Sequence, residues 1–172
     1  MTMNDLPTES SAVVTRETPP PPAVAPGDGV ENRRANYNRL VRTARLANLV
    51  LEGLNFKVHA EALGMNKALL TRSIAPKTKL MSSGTKDGTC VANIVWEVTF
   101  RFKKRTVMKC TASYLISYEG VTDCSEETAT IFVENVGKVA TYAYFRGLFA
   151  QLDWSATLGF EPLPILQLHP KL

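Results

Sequence analysis

The chain has 172 residues, 45 % of them hydrophobic and 21 % charged, with a formal net charge of +4. Those proportions suit a soluble globular protein with one ordinary core and some chain left over. No apolar run approaches the ~20 residues that cross a bilayer, and MTMNDLPTES lacks the basic start and apolar centre of a secretory signal, so a cytoplasmic protein is expected.

The charge is uneven. Residues 1–30 hold Arg16 against Asp5, Glu9, Glu17 and Asp28, about −3, which leaves about +7 of the total +4 for the remainder. Six of the ten prolines fall in the first 26 residues, Pro19-Pro20-Pro21-Pro22 among them. Such a segment buries too little apolar surface to offset its ordering entropy. The expected division is a disordered or polyproline-like tail over 1–30 and one domain over 31–172.

From Asn32 a helical period places Tyr37, Leu40, Val41, Ala44 and Ala47 on one face and Arg39, Arg42 and Arg45 on the other. The period then becomes two: Leu54, Phe56, Val58 and Ala60 alternate with Asn55, Lys57, His59 and Glu61, a strand with one wet face, and Gly53 before it is placed to make a bulge. Pro76–Ser83 is a weaker strand, followed by loop residues around Gly84 and Gly88.

A hairpin comes next. Ile94, Trp96, Val98, Phe100 and Phe102 alternate with polar residues, and Met108, Cys110, Ala112, Tyr114, Ile116 and Tyr118 do so again beyond a short basic turn at Lys103-Lys104-Arg105. Two strands with one apolar face each, so closely joined, form an antiparallel pair. A long helix then begins near Ser125-Glu126-Glu127, where acidic residues suit the N-terminal dipole. It has two apolar faces, Phe132, Val136, Val139, Ala143, Gly147 and Ala150 on one and Tyr142, Phe145, Phe149 and Leu152 on the other. One sheet covers one face, so the second needs another partner.

Enzymatic chemistry is not legible. The two histidines, His59 and His169, lie on a polar strand face and on the terminal segment, and the three cysteines, Cys90, Cys110 and Cys124, are widely spaced without a C-x-x-C pair. They read as reduced thiols, not as a zinc site or a catalytic set. No phosphate-binding glycine loop opens a helix, and no cofactor is implied. A basic nucleic-acid-binding module is a second reading, since Trp96, Phe100 and Phe102 interleave with Lys103, Lys104, Arg105 and Lys109. Against it, the aromatics alternate onto the face opposite Arg101 and Lys103. A structural adaptor using the Pro-rich tail and the second helix face is a third.

Three segments carry a resemblance. Leu163-Pro-Ile-Leu-Gln-Leu-His-Pro170 resembles the Leu-Pro-x-Leu-x-Leu-x-Pro crossover of the SecB-type export chaperones, including the SecB-like chaperones of some toxin–antitoxin systems. Tyr142-Ala-Tyr-Phe-Arg146 is similar to their Pro-Tyr-x-Arg helix motif. Trp96-Glu-Val-Thr-Phe-Arg-Phe102 resembles their Tyr-Glu-Val strand, with a Pro-initiated strand like Pro76–Leu80 ahead of it. The resemblance runs over about residues 49–170, in matching order.

It implies an α+β fold: a four-stranded antiparallel sheet with a long C-terminal helix, joined here to a short N-terminal helix. It implies a homo-oligomer, a dimer of dimers, that holds unfolded polypeptides or preproteins without ATP, with a translocation ATPase as a further partner. The client-binding residues it points to are Tyr144, Phe145, Phe149, Trp154, Leu163, Ile165, Leu166 and Leu168. Several positions depart from the pattern. Ala143 stands where Pro is usual and Gly147 where Glu is usual, and the interval from Arg146 to Leu163 is a few residues longer. The chain stops at Leu172, without the family's second helix. The strand faces are basic where the export chaperone offers acidic groups to its ATPase, which argues against that coupling and for a SecB-like relative with a particular partner protein.

Overall fold

A computed structural model describes residues 30–84 and 87–166. Helix α1 (Val30–Thr43) leads into β1 (Arg45–Val58), two short 3-10 turns (Ala60–Gly64 and Lys67–Leu69), β2 (Leu70–Gly84), β3 (Thr89–Phe102) and β4 (Arg105–Glu119). Helix α2 (Glu126–Phe132), a π turn (Val133–Gly137) and α3 (Lys138–Ser155) then run on as one 30-residue helix. The strands form one antiparallel sheet in the order β1-β4-β3-β2. The expected class, α+β with a four-stranded antiparallel sheet, a long C-terminal helix and a short N-terminal one, is the observed one.

Boundaries differ from the sequence pattern in three places. The first helix ends at Thr43, so Ala47 belongs to β1, which starts nine residues before the expected Leu54 and ends at Val58 rather than Glu61. Register shifts between Leu46 and Asn48 and between Leu51 and Gly53 break the two-residue alternation in its first half; the second is the bulge foreseen at Gly53. Strand β2 is twice the expected length, with Pro76 in its middle. Proline is tolerated there because β2 is an edge strand and needs no donor on its open side. The Pro-rich tail lies outside the described residues.

The hairpin of β3 and β4 is the centre. Its alternating residues Ile94, Trp96, Val98, Met108, Cys110, Ala112 and Ile116 are 0–1 % exposed, and Lys103 closes the turn in the left-handed region at φ 53. The long helix lies across this side. Ser125 caps it, accepting a hydrogen bond from the Thr128 amide at 3.2 Å. Trp96 packs against Tyr142 and Phe145 with centroids 4.8 and 5.9 Å apart, and Phe100 sits between Phe149 at 6.2 Å and Phe160 at 4.2 Å.

The π turn explains how the helix stays on the sheet. Ala129, Val133, Gly137, Thr141, Phe145 and Phe149 recur every four residues and are all buried. In an unbroken α-helix that spacing drifts by about 40° per step; a wider turn takes part of the drift back. The Lys138 amide donates to the Val133 carbonyl, five residues away. Thr141 Oγ1 donates to the Gly137 carbonyl at 2.9 Å and accepts from Trp96 Nε1 at 2.9 Å, so the widened turn is satisfied from within the core. Gly137 lets the helix sit close to the sheet, since a Cβ there would stand 2.8 Å from Ile116 Cδ1 and 3.0 Å from Ile94 Cδ1 and would push both side-chain ends aside.

Of the two apolar faces seen in the sequence, that of Tyr142, Phe145 and Phe149 meets the sheet. Ala143, Gly147 and Ala150 are exposed, and from the other face only Phe132 is buried.

Candidate functional site

After Ser155 the chain turns back. Thr157 (φ 54) and Gly159 (φ 66) adopt left-handed conformations, and the Phe160 amide donates to Asp153 Oδ1 at 3.1 Å. From Phe160 onward an extended strap crosses the helix and the β2 side of the sheet. Side-chain donors hold its carbonyls. Arg72 of β2 donates to the Pro162 carbonyl at 3.1 Å, Arg146 Nε to the Leu163 carbonyl at 2.8 Å, and Tyr142 Oη to the Pro164 carbonyl at 2.7 Å. Charged donors make the stronger of such bonds. Pro162 and Pro164 have no amide hydrogen, so those positions leave no donor unpaired.

The strap is divided in orientation. Phe160 and Leu163 are 7 % and 1 % exposed, whereas Ile165 and Leu166 are 76 % and 37 % exposed. On the helix, Trp154 is 86 % and Tyr144 58 % exposed. Single exposed apolar residues are ordinary on a protein surface; four large ones on two adjoining segments are not. Between strap and helix runs a groove of about 400 Å³, with Ala143, Gly147 and Ala150 as a small-residue wall and Trp154, Phe160 and Pro162 among its other lining residues. An added Cβ at Gly147 meets nothing within 4 Å, so this wall is open.

The eight residues singled out from the sequence therefore separate. Trp154 lines the groove, and Tyr144, Ile165 and Leu166 stand exposed on the helix and the strap. Phe145 is wholly buried, while Phe149 and Leu163 line the groove from beneath at 2 % and 1 % exposure. Leu168 lies outside the described residues. Sequence reasoning passed over Arg72 and Asp153, whose roles are bonds to backbone that no residue pattern announces.

A second uncovered apolar surface lies on β1. Leu46, Leu51 and Leu54 face the helix side, opposite Tyr118, Tyr114 and Ala112 of β4, yet they are 41–44 % exposed because the helix does not reach the β1 edge. The strand expected to have one wet face thus has both faces partly open.

The aromatics of the hairpin lie where their alternation placed them, opposite the strand cations. Trp96 and Phe100 are buried beneath the helix, on the side away from Arg101 and Lys109, so no stacking platform accompanies those cations. Arg39 donates to the Asp123 carbonyl at 2.6 Å and Arg33 pairs with Glu127 at 2.9 Å, which ties α1 to the start of α2. Burial pushes the thiols of Cys90 and Cys110 up to about 11, far from a reactive thiolate. Among the described residues no helix is long and apolar enough to cross a membrane.

No family model and no curated sequence matches the chain. Solved structures do. A protein of unknown function from Streptococcus agalactiae matches at 11 % identity and a TM-score of 0.41, over 73 % of this chain and 97 % of that one. The Mycobacterium tuberculosis SecB-like chaperone Rv1957, solved in complex with a ChAD peptide from the HigA1 antitoxin, matches at 18 % identity and a TM-score of 0.59, over 80 % of this chain and 99 % of that one. With the strap and long helix laid over a four-stranded sheet, the fold of this chain is the SecB-like one.

Proposed function

We propose that the protein is an ATP-independent chaperone that holds non-native polypeptide on the apolar surface beside its C-terminal strap. The carrying observation is an open groove lined by Trp154, together with Tyr144, Ile165 and Leu166 exposed on the helix and strap that form it. The fold shared with a SecB-like chaperone solved with a bound peptide supports the reading. One apolar anchor contributes about 2–3 kcal/mol, less than the cost of immobilising two molecules. Capture therefore needs several anchors engaged together, as linked weak sites provide. Trp154, Ile165 and Leu166 make the contacts, with Leu168 a further client residue, and Phe145, Phe149 and Leu163 hold the surface from below.

The half-covered leucines of β1 are the surface on which further copies assemble, a dimer of dimers being the arrangement the fold suggests. Because the helix-free strand face is basic, a dedicated polypeptide client in the cytoplasm fits better than delivery to a translocation ATPase.

The test is light scattering after a chemically denatured protein is diluted into buffer with the chain, without ATP. Suppression near equimolar ratio, lost in Trp154→Ala/Leu166→Asp of unchanged hydrodynamic size, is the expected result. A folded sample that suppresses nothing, at any ratio, overturns the general chaperone reading. Tight binding of one partner from the same cells would then mark a single-client adaptor.

A further inference from the structure

The side of the sheet away from the helix has its own charge. Register and alternation place Lys57, Lys77, Lys79, Arg101 and Lys109 on it. Two of its acids are already engaged: Glu97 pairs with Lys109 at 2.9 Å, and Glu52 accepts from Asn93 Nδ2 at 2.7 Å. Lys57 stands directly opposite Lys109 across β1 and β4, an arrangement that costs stability in the absence of a counter-charge. Among the described residues no carboxylate pairs with Lys57, Lys77, Lys79 or Arg101. With Arg45 opposite Glu119 at the far end of β1 and β4, six cations against three acids leave the face at +3.

The first 29 residues carry the opposite charge, Asp5, Glu9, Glu17 and Asp28 against Arg16, or −3. They are joined to the domain at Val30. Extended, the segment from Glu17 to Val30 spans up to about 45 Å, close to the length of a strand of 14 or 15 residues such as β1 or β2. Glu9 and Asp5 reach farther. Between the cations lie Val50, Val95 and Leu115, which match the apolar Ala12-Val13-Val14 that falls between Glu9 and Glu17.

We infer that the N-terminal segment docks across the helix-free face of its own sheet, its carboxylates against Lys77, Lys79 and the Lys57–Lys109 pair. Covalent attachment makes the encounter intramolecular, so weak contacts suffice, and the attraction weakens with salt. The docked segment competes with any outside polyanion for the same lysines. This inference is independent of the chaperone reading, and its readouts do not involve a client.

The test is amine footprinting of the full chain with an acetylating reagent, read by mass spectrometry. The comparison is the variant Asp5→Asn/Glu9→Gln/Glu17→Gln, whose changes all lie outside the folded domain. At low salt, acetylation of Lys77 and Lys79 is expected to be about fivefold slower in the parent chain, while Lys138 on the helix reacts equally in both proteins. Raising the salt to about 0.5 M should abolish the difference. Equal rates in parent and variant overturn the inference, and the lysines then serve only to keep the β2 edge from pairing with another strand. Carbodiimide cross-linking of a mixture of heavy- and light-isotope chains gives the second readout. Links from Glu9 or Glu17 to Lys77 or Lys79 within one chain are expected; links only between copies overturn docking on the chain's own sheet.

Discussion

Strands β4 and β1 are neighbours of nearly equal length, and both turn apolar residues toward the helix side of the sheet. On β4 those residues are covered, with Cys110, Ala112, Tyr114 and Ile116 at 0–3 % exposure; on β1, Leu51 and Leu54 stay at 42–44 %. The difference comes from the second layer, not from the strands. The long helix covers the centre of the sheet and the strap covers the β2 side, which leaves β1 uncovered. An apolar stripe therefore records what a surface needs to meet, while the position of the helix decides whether the same chain meets it.

Paired truncations make the comparison quantitative. Ile116→Ala should cost about 2–5 kcal/mol of unfolding free energy, the range for a fully buried large-to-small change, as measured by urea denaturation. Leu51→Ala on the neighbouring strand should cost about 1 kcal/mol or less in dilute solution. If β1 is where copies meet, the Leu51→Ala penalty grows with protein concentration, whereas that of Ile116→Ala does not.

Alkali should act on the covered hairpin of β3 and β4. Burial pushes Cys110 and Cys90 up to about 11 from an ordinary 9.0, and Tyr114 and Tyr118 up to about 12 from 10.0. The folded state thus keeps protons that the unfolded chain releases. Their contribution is complete below about pH 9 and is lost as pH rises toward 11 and 12. Urea midpoints should be level near neutrality and fall steadily above pH 9, with Cys110→Ala flattening the start of the decline.

The strap offers a finer contrast between a pinned and a free end. Tyr142→Phe removes one hydrogen bond to the Pro164 carbonyl and should cost about 0.5–1.5 kcal/mol, with faster amide exchange confined to residues near 160–166. Trp154→Ala should leave stability within about 0.5 kcal/mol, since the side chain is 86 % exposed. Client holding should nevertheless weaken severalfold. A Trp154→Ala that lowers both together would show that the residue belongs to the core of an assembly.

The sequence makes the hairpin and the long helix plain because Ile94–Phe102 and Met108–Tyr118 keep strict alternation and Ser125 starts a capped, acidic turn. It hides β1, whose two register shifts scramble the alternation just where Ala44 and Ala47 happen to continue the preceding helical period. Strand β2 is obscured by its Ser, Thr and Lys content, which an open edge tolerates. The outward residues of the strap are readable as apolar, but Leu163 and Leu166 look alike in sequence; what separates them is a carbonyl held by Arg146 and another held by Tyr142. Backbone acceptors carry no side-chain signature.

The π turn at Val133–Gly137 has a consequence for how this helix can change over evolutionary time. A turn of this kind is what one inserted residue leaves in an α-helix that is already packed at both ends. Deleting Asn135 would restore even winding and leave the residues beyond it facing as they do now, because the wide turn absorbs the extra residue. Trp154 and the open wall of Ala143, Gly147 and Ala150 would still flank the strap, whereas a deletion beyond Gly137, with no wide turn to absorb it, would swing the rest of the helix by about 100°, one residue's rotation. Length can thus change by one residue at this turn, and not in the regular helix that follows it.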